Sequence, residues 1–344
     1  MTTKKHFRVA LIGAGHIAKQ NHLPALRALA DRAEVVAICG REATRTHHFA
    51  QEQNIPAAFT SLESMLADAQ PDILVNCTAN NLHYPFTMEA LKKGCHVFCE
   101  KPPAIWAKEA QEMADLATHQ GVFLGYNFQR RQSAAYRLLQ KQIVEGTFGE
   151  IYHIKADYLR RSGIPGWGNF TNKTIQGGGA LIDLGVHLLD LALGLIGYEP
   201  PKAVLANTYD HIGKRGGKGL RGSWDGSHFE VEDACFAHIN FPSRASVTLS
   251  SSFALHRKEA ETVQLQIFGT KAGATLYPLE IFTESAGEHM NLQFPHLTEP
   301  DHQLENTRAF LDACEGLPSN ICNGQQGALL QSILEKIYAS AQEN

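Results

Sequence analysis

Phe7 to Ile12 (FRVALI) is a compact apolar run that ends in Gly13-Ala14-Gly15-His16-Ile17-Ala18 and passes directly into a helical pattern through Leu23, Leu26, Leu29 and Ala30. Strand, glycine turn and helix in this order constrain the fold more than any other feature of the chain. The first glycine permits the tight turn, and the second lets the backbone approach a pyrophosphate. The small third position, Ala18, lets helix and strand pack closely. A pyrophosphate then rests on the helix N-terminus, where backbone N–H groups point outward. A dinucleotide site built around Gly13, Gly15, His16 and Ile17 is therefore expected at the start of the chain.

The next strand, Glu34 to Cys39, ends where an acidic residue commonly grips the ribose 2′-hydroxyl. Here that place holds Gly40, followed by Arg41 and, one helical turn on, Arg45. Loss of the carboxylate and gain of guanidinium groups favour a 2′-phosphate, so NADP is preferred and NAD remains possible. In the plainer alternative, Gly40 only ends the strand and Arg41 opens a solvated helix. Alternation continues with Ala57 to Phe59, a helix around Leu62 to Ala67, and the strand Asp72 to Asn76. That strand leads into Cys77-Thr78-Ala79-Asn80-Asn81-Leu82-His83, polar residues at the carboxyl end of a parallel strand, where open α/β sheets bind ligands. Thr78, Asn80 and His83 are cofactor candidates, and His83 has the alternative of capping the helix that follows. Cys95 to Cys99 (CHVFC) is nearly all apolar, as a strand buried on both faces should be. It ends in Glu100-Lys101-Pro102-Pro103, which places an acid and a lysine, fixed by prolines, at the edge of the cofactor site.

Gly177 to Gly194 reads GGGALIDLGVHLLDLALG. At about 100° per residue, Leu184, Leu188, Leu191 and Leu195 form one stripe, and Asp183, His187 and Asp190 form a second row about a quarter turn away. The leucines must be buried, so the acid-His-acid row sits half desolvated on their shoulder. A carboxylate there orients an imidazole and shifts its proton affinity. The alternative is a core helix whose His and Asp residues only bridge to neighbouring backbone.

With GAGHIA at 13–18, NNLH at 80–83, EKP at 100–102 and GGGALIDLGVHLLDLA at 177–192, in this order and spacing, the chain resembles the glucose-fructose oxidoreductase, inositol dehydrogenase and MocA-like (Gfo/Idh/MocA) family over nearly its whole length. The resemblance implies an α/β fold: an N-terminal Rossmann dinucleotide-binding domain, residues 1–125, and a C-terminal α+β domain, residues 126–344, with an open, mostly antiparallel sheet. The nicotinamide would lie between them. It implies that Lys101 binds the ribose and the reacting hydroxyl, that His187 is the general acid/base, and that Asp183 orients and charge-balances His187. Glu100 joins the cofactor contacts. The substrate class implied is a sugar, cyclitol or related polyol or keto-sugar. A departure is Ala79, where many members carry proline, which puts the side-chain roles in that loop in doubt. Two other functions stay open, a redox-neutral glycosidase that retains its cofactor and a non-enzymatic cofactor sensor that regulates a partner.

Val122 to Gly125 reads as the last Rossmann strand, and Tyr126, Asn127 and Arg130 beyond it are candidates for the substrate, whereas Arg131 is expected to be solvated. A long strand, Glu150 to Leu159, runs into a glycine-rich loop carrying Arg160, Arg161 and Trp167. Trp167 is either a stacking surface for a sugar or the plug of its own loop, with Arg160 or Arg161 reaching polar substrate groups. Alternation at Ala203 to Thr208, Ala234 to Asn240, Ala245 to Phe253 and Thr262 to Phe268 indicates antiparallel strands with one solvated face. Asp210 to Glu230, rich in Gly, Lys and Arg, is expected to be a solvated excursion, with a lid, an oligomer arm or a disordered insertion as its forms. An open sheet face invites a symmetric partner, so a homodimer or homotetramer is expected.

Composition bounds the partners. A length of 344 residues fits two domains, and a formal net charge of −4 disfavours nucleic acid or an anionic membrane as the main partner. Lys4 and Lys5 precede an apolar run too short for a signal peptide, and no run reaches the roughly 20 apolar residues of a membrane helix. Seven scattered cysteines read as buried free thiols in a reducing cytoplasm. On one strand Cys95 and Cys99 lie about 13 Å apart, too far for a disulfide or shared metal, and no metal site is expected.

Overall fold

A computed structural model describes residues 6–343; Lys4 and Lys5 lie outside the described residues. The chain forms two units, one comprising the residues up to Gln132 together with Asp301–Ala328, the other Ser133–Pro300 and the chain from Leu329 onward.

The first unit is a doubly wound sheet. Its strands are β1 (Phe7–Ile12), β2 (Ala33–Cys39), β3 (Ala57–Phe59), β4 (Ile73–Asn76), β5 (His96–Cys99) and β6 (Leu124–Tyr126), in the order β6-β5-β4-β1-β2-β3, all parallel. The order reverses beside β1, which places the glycine turn at the topological switch point. The expected boundary at residue 125 differs from the structure, because the chain returns. Cys322–Asn323 pairs antiparallel with β6, and the helix His302–Cys314 stacks Phe310 on Phe98 with ring centroids 4.5 Å apart. Arg32 also bridges Asp312 at 2.6 Å and Glu315 at 2.8 Å. An apolar helix face with phenylalanine at its centre buries where β5 exposes a matching ring, however far apart the two lie in sequence.

The second unit is built on an eight-stranded sheet. Its chain supplies β7 (Ile151–Arg160), β8 (Ala203–Tyr209), β9 (Gly217–Gly219), β10 (Gly222–Trp224), β11 (Ala234–Asn240), β12 (Ser246–Ser252), β13 (Glu261–Gly269), β14 (Ala272–Thr275), β15 (Glu280–Ser285) and β16 (Glu288–Gln293). The large sheet runs β16-β15-β14-β13-β7-β12-β11-β8, antiparallel except for β7 beside β12. One face carries Ile154, Ala156, Val247, Leu249 and Leu265, all fully buried, and is covered by the helix Val186–Ile196. The other face leaves Leu205, Tyr209, Phe236, Phe268 and Phe282 exposed.

Two expectations are corrected here. The segment Lys173–Ile196 is as long and apolar as a membrane span, but 78% of its apolar 18-residue window is buried inside the fold, so it is a core element. Asp183, His187 and Asp190 interrupt the run in sequence without lowering its mean hydropathy enough to disqualify it. The stretch 210–230 is folded and not an open excursion. β9 and β10 pair as a hairpin, Asp233 accepts hydrogen bonds from the N–H groups of Ile212 and Gly213, and the Trp224 indole donates to Gly213 O at 2.9 Å. The cysteines are free, five of them buried, and burial pushes the Cys39 and Cys95 thiols up to about 11.

Candidate active site

In the first unit the glycine turn has the geometry that a bound pyrophosphate needs. Gly13 holds φ at +100°, and a Cβ on it would come within 2.6 Å of Cys77 O, so only glycine fits. At Gly15 a Cβ would meet nothing within 4 Å, which leaves open space above the helix start. His16 and Ile17 are exposed beside that space. The helix begins with a π-turn, Ala18–His22, before Leu23–Ala28. These residues fit a dinucleotide on an observation independent of the motif, the free volume at Gly15.

Gly40 closes β2 against Thr46, whose hydroxyl occupies the space a side chain there would need. Arg41 and Arg45 are exposed. The nearby carboxylate, Glu42, caps the following helix and accepts from the N–H groups of Thr44 at 2.9 Å and Arg45 at 2.8 Å. Its charge is thus engaged by the helix N-terminus, which holds its carboxyl below the usual range.

Several of the residues named as cofactor candidates are held by protein partners. His83 is fully buried, with Nδ1 facing Pro102 O at 2.7 Å and Nε2 facing Thr78 O at 3.2 Å, so it ties the two loops together and presents no ring atom outward. Burial pulls its proton affinity down against those two carbonyls and Glu100. Thr78 gives both its N–H and its hydroxyl to Asn76 Oδ1, while Asn80 is half-buried. Glu100 accepts from Asn127 Nδ2 at 2.7 Å and from the Lys101 N–H at 3.3 Å, and meets His22 Nε2 at 2.8 Å. Burial pushes its carboxyl up, but His22, Asn127 and Lys101 outweigh burial and hold it below the ordinary value. Glu100 therefore fixes the backbone that carries Lys101, a half-buried side chain. The Lys101–Pro102 peptide is cis.

Tyr126 and Asn127, both named for the substrate, are enclosed by protein. Tyr126 is fully buried against Gly327, where a Cβ would strike its ring. Asn127, 1% exposed, donates to Gln303 as well as Glu100 and accepts from Asn306. Arg131 is buried, and its guanidinium donates to Asn320 O and Gln326 Oε1, so it is not solvated. Arg130 stays half-exposed. The residues missed by sequence reasoning, His22 and Asn76, gave no signal beyond being polar within apolar elements.

In the second unit, Asp183 lies in a π-turn, Leu181–Gly185, and His187 in the first turn of the helix Val186–Ile196. From Gly178 to Leu193 every residue is buried except these two, which are half-buried. Asp190 is enclosed and accepts from the Tyr198 hydroxyl at 2.7 Å, a structural role. The triple glycine is explained by packing: a Cβ on Gly178 would collide with the Tyr338 hydroxyl and one on Gly179 with Glu232 O. Glu232, which sequence reasoning missed, is the anchor. Its carboxylate accepts from Gly179 N, Leu181 N and the Tyr338 hydroxyl, each at 2.9 Å. Burial pushes its carboxyl up even against these donors. The signal available was two acids, Glu232 and Asp233, directly before an apolar strand. Trp167 is 53% exposed and meets Phe170 of its own loop edge-on, ring centroids 6.4 Å apart. Arg161 is exposed with its guanidinium on Lys258 O, while Arg160 is buried against Glu261.

Comparison with known proteins agrees with this geometry. Residues 7–128 match the family model described as the GFO/IDH/MocA oxidoreductase family, NAD-binding Rossmann fold. Residues 136–275 match the GFO/IDH/MocA C-terminal domain. The chain is 37% identical over 340 residues to D-glucoside 3-dehydrogenase of Escherichia coli (strain K12), covering 99% of this chain and 97% of that protein. It is 32% identical over 269 residues to 1,5-anhydro-D-fructose reductase of Ensifer adhaerens, covering 77% and 74%. Among solved structures, levoglucosan dehydrogenase in complex with NADH and L-sorbose shares the fold with a TM-score of 0.86 at 21% identity, covering 98% of this chain and 97% of that one.

Proposed function

This chain belongs to the GFO/IDH/MocA oxidoreductase family, and on that premise we propose that it moves a hydride between a nicotinamide cofactor and a carbinol carbon of a sugar, cyclitol or related polyol or keto-sugar. The observation that carries the reading is the half-burial of Asp183 and His187 alone within an otherwise buried run. An imidazole placed so is screened from bulk water but still reachable by a substrate hydroxyl. The bound nicotinamide supplies the hydride chemistry. His187 takes the hydroxyl proton in oxidation and returns it in reduction, with Asp183 one helical turn earlier orienting the ring. The Lys101 ammonium donates to the same oxygen, where a cation stabilises charge that is greatest in the transition state. Gly13 and Gly15 hold the pyrophosphate. The sugar class is supported by the names of the relatives, a glucoside dehydrogenase and an anhydrofructose reductase. A panel of cyclitols, aldoses and glucosides with either nicotinamide tests the reading, and failure of every member to generate reduced cofactor overturns it.

The cofactor form is proposed to be NADP in preference to NAD. Arg41 and Arg45 are exposed beside Gly40, and the Glu42 carboxylate is occupied as a helix cap. Calorimetric titration should give the lower Kd for NADP; tighter NAD binding contradicts the preference. The exposed apolar residues of the large sheet, Leu205, Phe236 and Phe268 among them, support a homodimer or homotetramer formed on that face. Light scattering at the monomer mass of 37.8 kDa would overturn it.

A further inference from the structure

The loop Arg160–Phe170 and the β9–β10 hairpin enclose a recess of about 610 Å³ in the second unit, within the range of small-molecule sites. Its walls are apolar and open. Trp167 is 53% exposed and Leu220, at the hairpin tip, 82% exposed. Trp167 meets Phe170 edge-on, ring centroids 6.4 Å apart, and keeps about half its surface open, and the two segments that carry Trp167 and Leu220 are clasped. Gly166 N donates to Arg221 O at 2.8 Å, and a Cβ on Gly166 would come within 2.5 Å of Ser223 N and O. The polar part is equally fixed: the Arg160 guanidinium bonds Glu261 at 2.7 Å and lies 5.2 Å over the Tyr158 ring. That pair is charge-balanced, and Arg221 adds an exposed donor at the rim.

Strand register places this recess relative to the acid/base turn. Arg160 and Tyr158 point to the sheet face that the helix Val186–Ile196 covers, and Tyr158 sits beside Ser251. Ser251 lies under Gly185, where a Cβ would be 3.1 Å from it. Gly185 is flanked at two residues on either side by Asp183 and His187. Two residues along β7 and one strand across is roughly 8 Å of backbone between Arg160 and Ser251, so the recess and the acid/base turn share one face of the sheet at neighbouring positions.

We propose that the recess binds the aglycone of a glycoside, a flat-faced ring, aromatic or pyranose, that stacks on Trp167 while the attached sugar reacts at His187. The inference rests on the oxidoreductase reading above and narrows its substrate from free sugars to glycosides. Flat rings stack on an indole face, and Leu220 lines the same recess.

The test compares kcat/KM for phenyl and methyl β-D-glucoside. The wild type should favour the phenyl compound by about tenfold, the value of one well-formed aromatic contact. Leu220→Ser and Trp167→Ala should bring the ratio close to one, and Trp167→Phe, which keeps a flat ring, should retain most of it. A wild-type ratio near one, or a ratio unmoved by both Leu220→Ser and Trp167→Ala, overturns the proposal. Leu220 is too exposed for its serine variant to fail by misfolding. If the wild type oxidises a cyclitol or free aldose but neither glucoside, the glycoside proposal is overturned; if it oxidises no member of the wider panel, the oxidoreductase reading fails, and the recess is judged by tryptophan fluorescence titrated with phenyl glucoside. A saturable change lost in Leu220→Ser supports the site, and no saturable change in the wild type overturns it.

Discussion

Replacing His187 by alanine is expected to lower turnover roughly a hundredfold or more while cofactor affinity stays nearly unchanged. The first figure follows from the ordinary worth of a positioned general acid/base. The second follows from placement: the residues fitted to the cofactor, Gly13, Gly15 and Lys101, belong to the first unit, and His187 to the second. Because His187 is half-buried and its flanking leucines fill the packing stripe, the truncation removes little core. Loss of turnover should therefore appear without a matching fall in Tm. Steady-state kinetics with a cofactor titration separates the cases. Retained turnover would remove the assignment, and a joint collapse of turnover and Tm would recast His187 as structural.

Glu232→Ala is the second large effect, and it reads on stability first. The carboxylate is buried and accepts from two backbone N–H groups and the Tyr338 hydroxyl. Its removal leaves these donors without an acceptor away from water, at a cost on the order of 3 kcal/mol or more. The same donors set the π-turn that carries Asp183, so turnover should fall beyond the stability loss when measured well below the variant's Tm. The pH dependence has a definite sign. Burial raises the folded-state carboxyl pKa of Glu232, so its stabilising contribution is complete below the ordinary unfolded glutamate value and is lost as pH rises through the folded one. The Tm gap between wild type and variant should thus be widest on the acid side and narrow as pH rises. A gap that widens with pH contradicts this picture of the site.

The Rossmann unit is legible in the sequence because its signals are local. FRVALI followed by GAGHIA states strand, turn and helix within about twenty residues, and the short apolar runs of β4 and β5, bounded by turn residues, read as buried strands. The leucine stripe of 184–195 is legible for the same reason. Roles that depend on distant partners are not. Asn127 looks like a substrate contact until Asn306 and Gln303 reach it from a helix nearly two hundred residues later, and no local pattern announces that return. The π-turn at Leu181–Gly185 is hidden because leucines at helical spacing read alike in either helix type. Its cause, Glu232 behind Gly179, comes from another strand connection. The hairpin at 217–224 was obscured by composition, since glycine and lysine suggest solvation, whereas Asp233 and Trp224 pin its base. Short strands such as β14 to β16 escaped detection because their alternation is weak, with Phe282, Met290 and Leu292 left exposed on them.

Direct hydride transfer from a sugar carbon is the claim on which the rest depends, and isotope transfer measures it. A carbon-deuterated glucoside incubated with the protein and oxidised nicotinamide should yield keto-sugar and reduced cofactor in equal amounts, with one deuterium carried on each reduced nicotinamide. Reduced cofactor without deuterium, or sugar turnover with no net accumulation of reduced cofactor, would contradict the account.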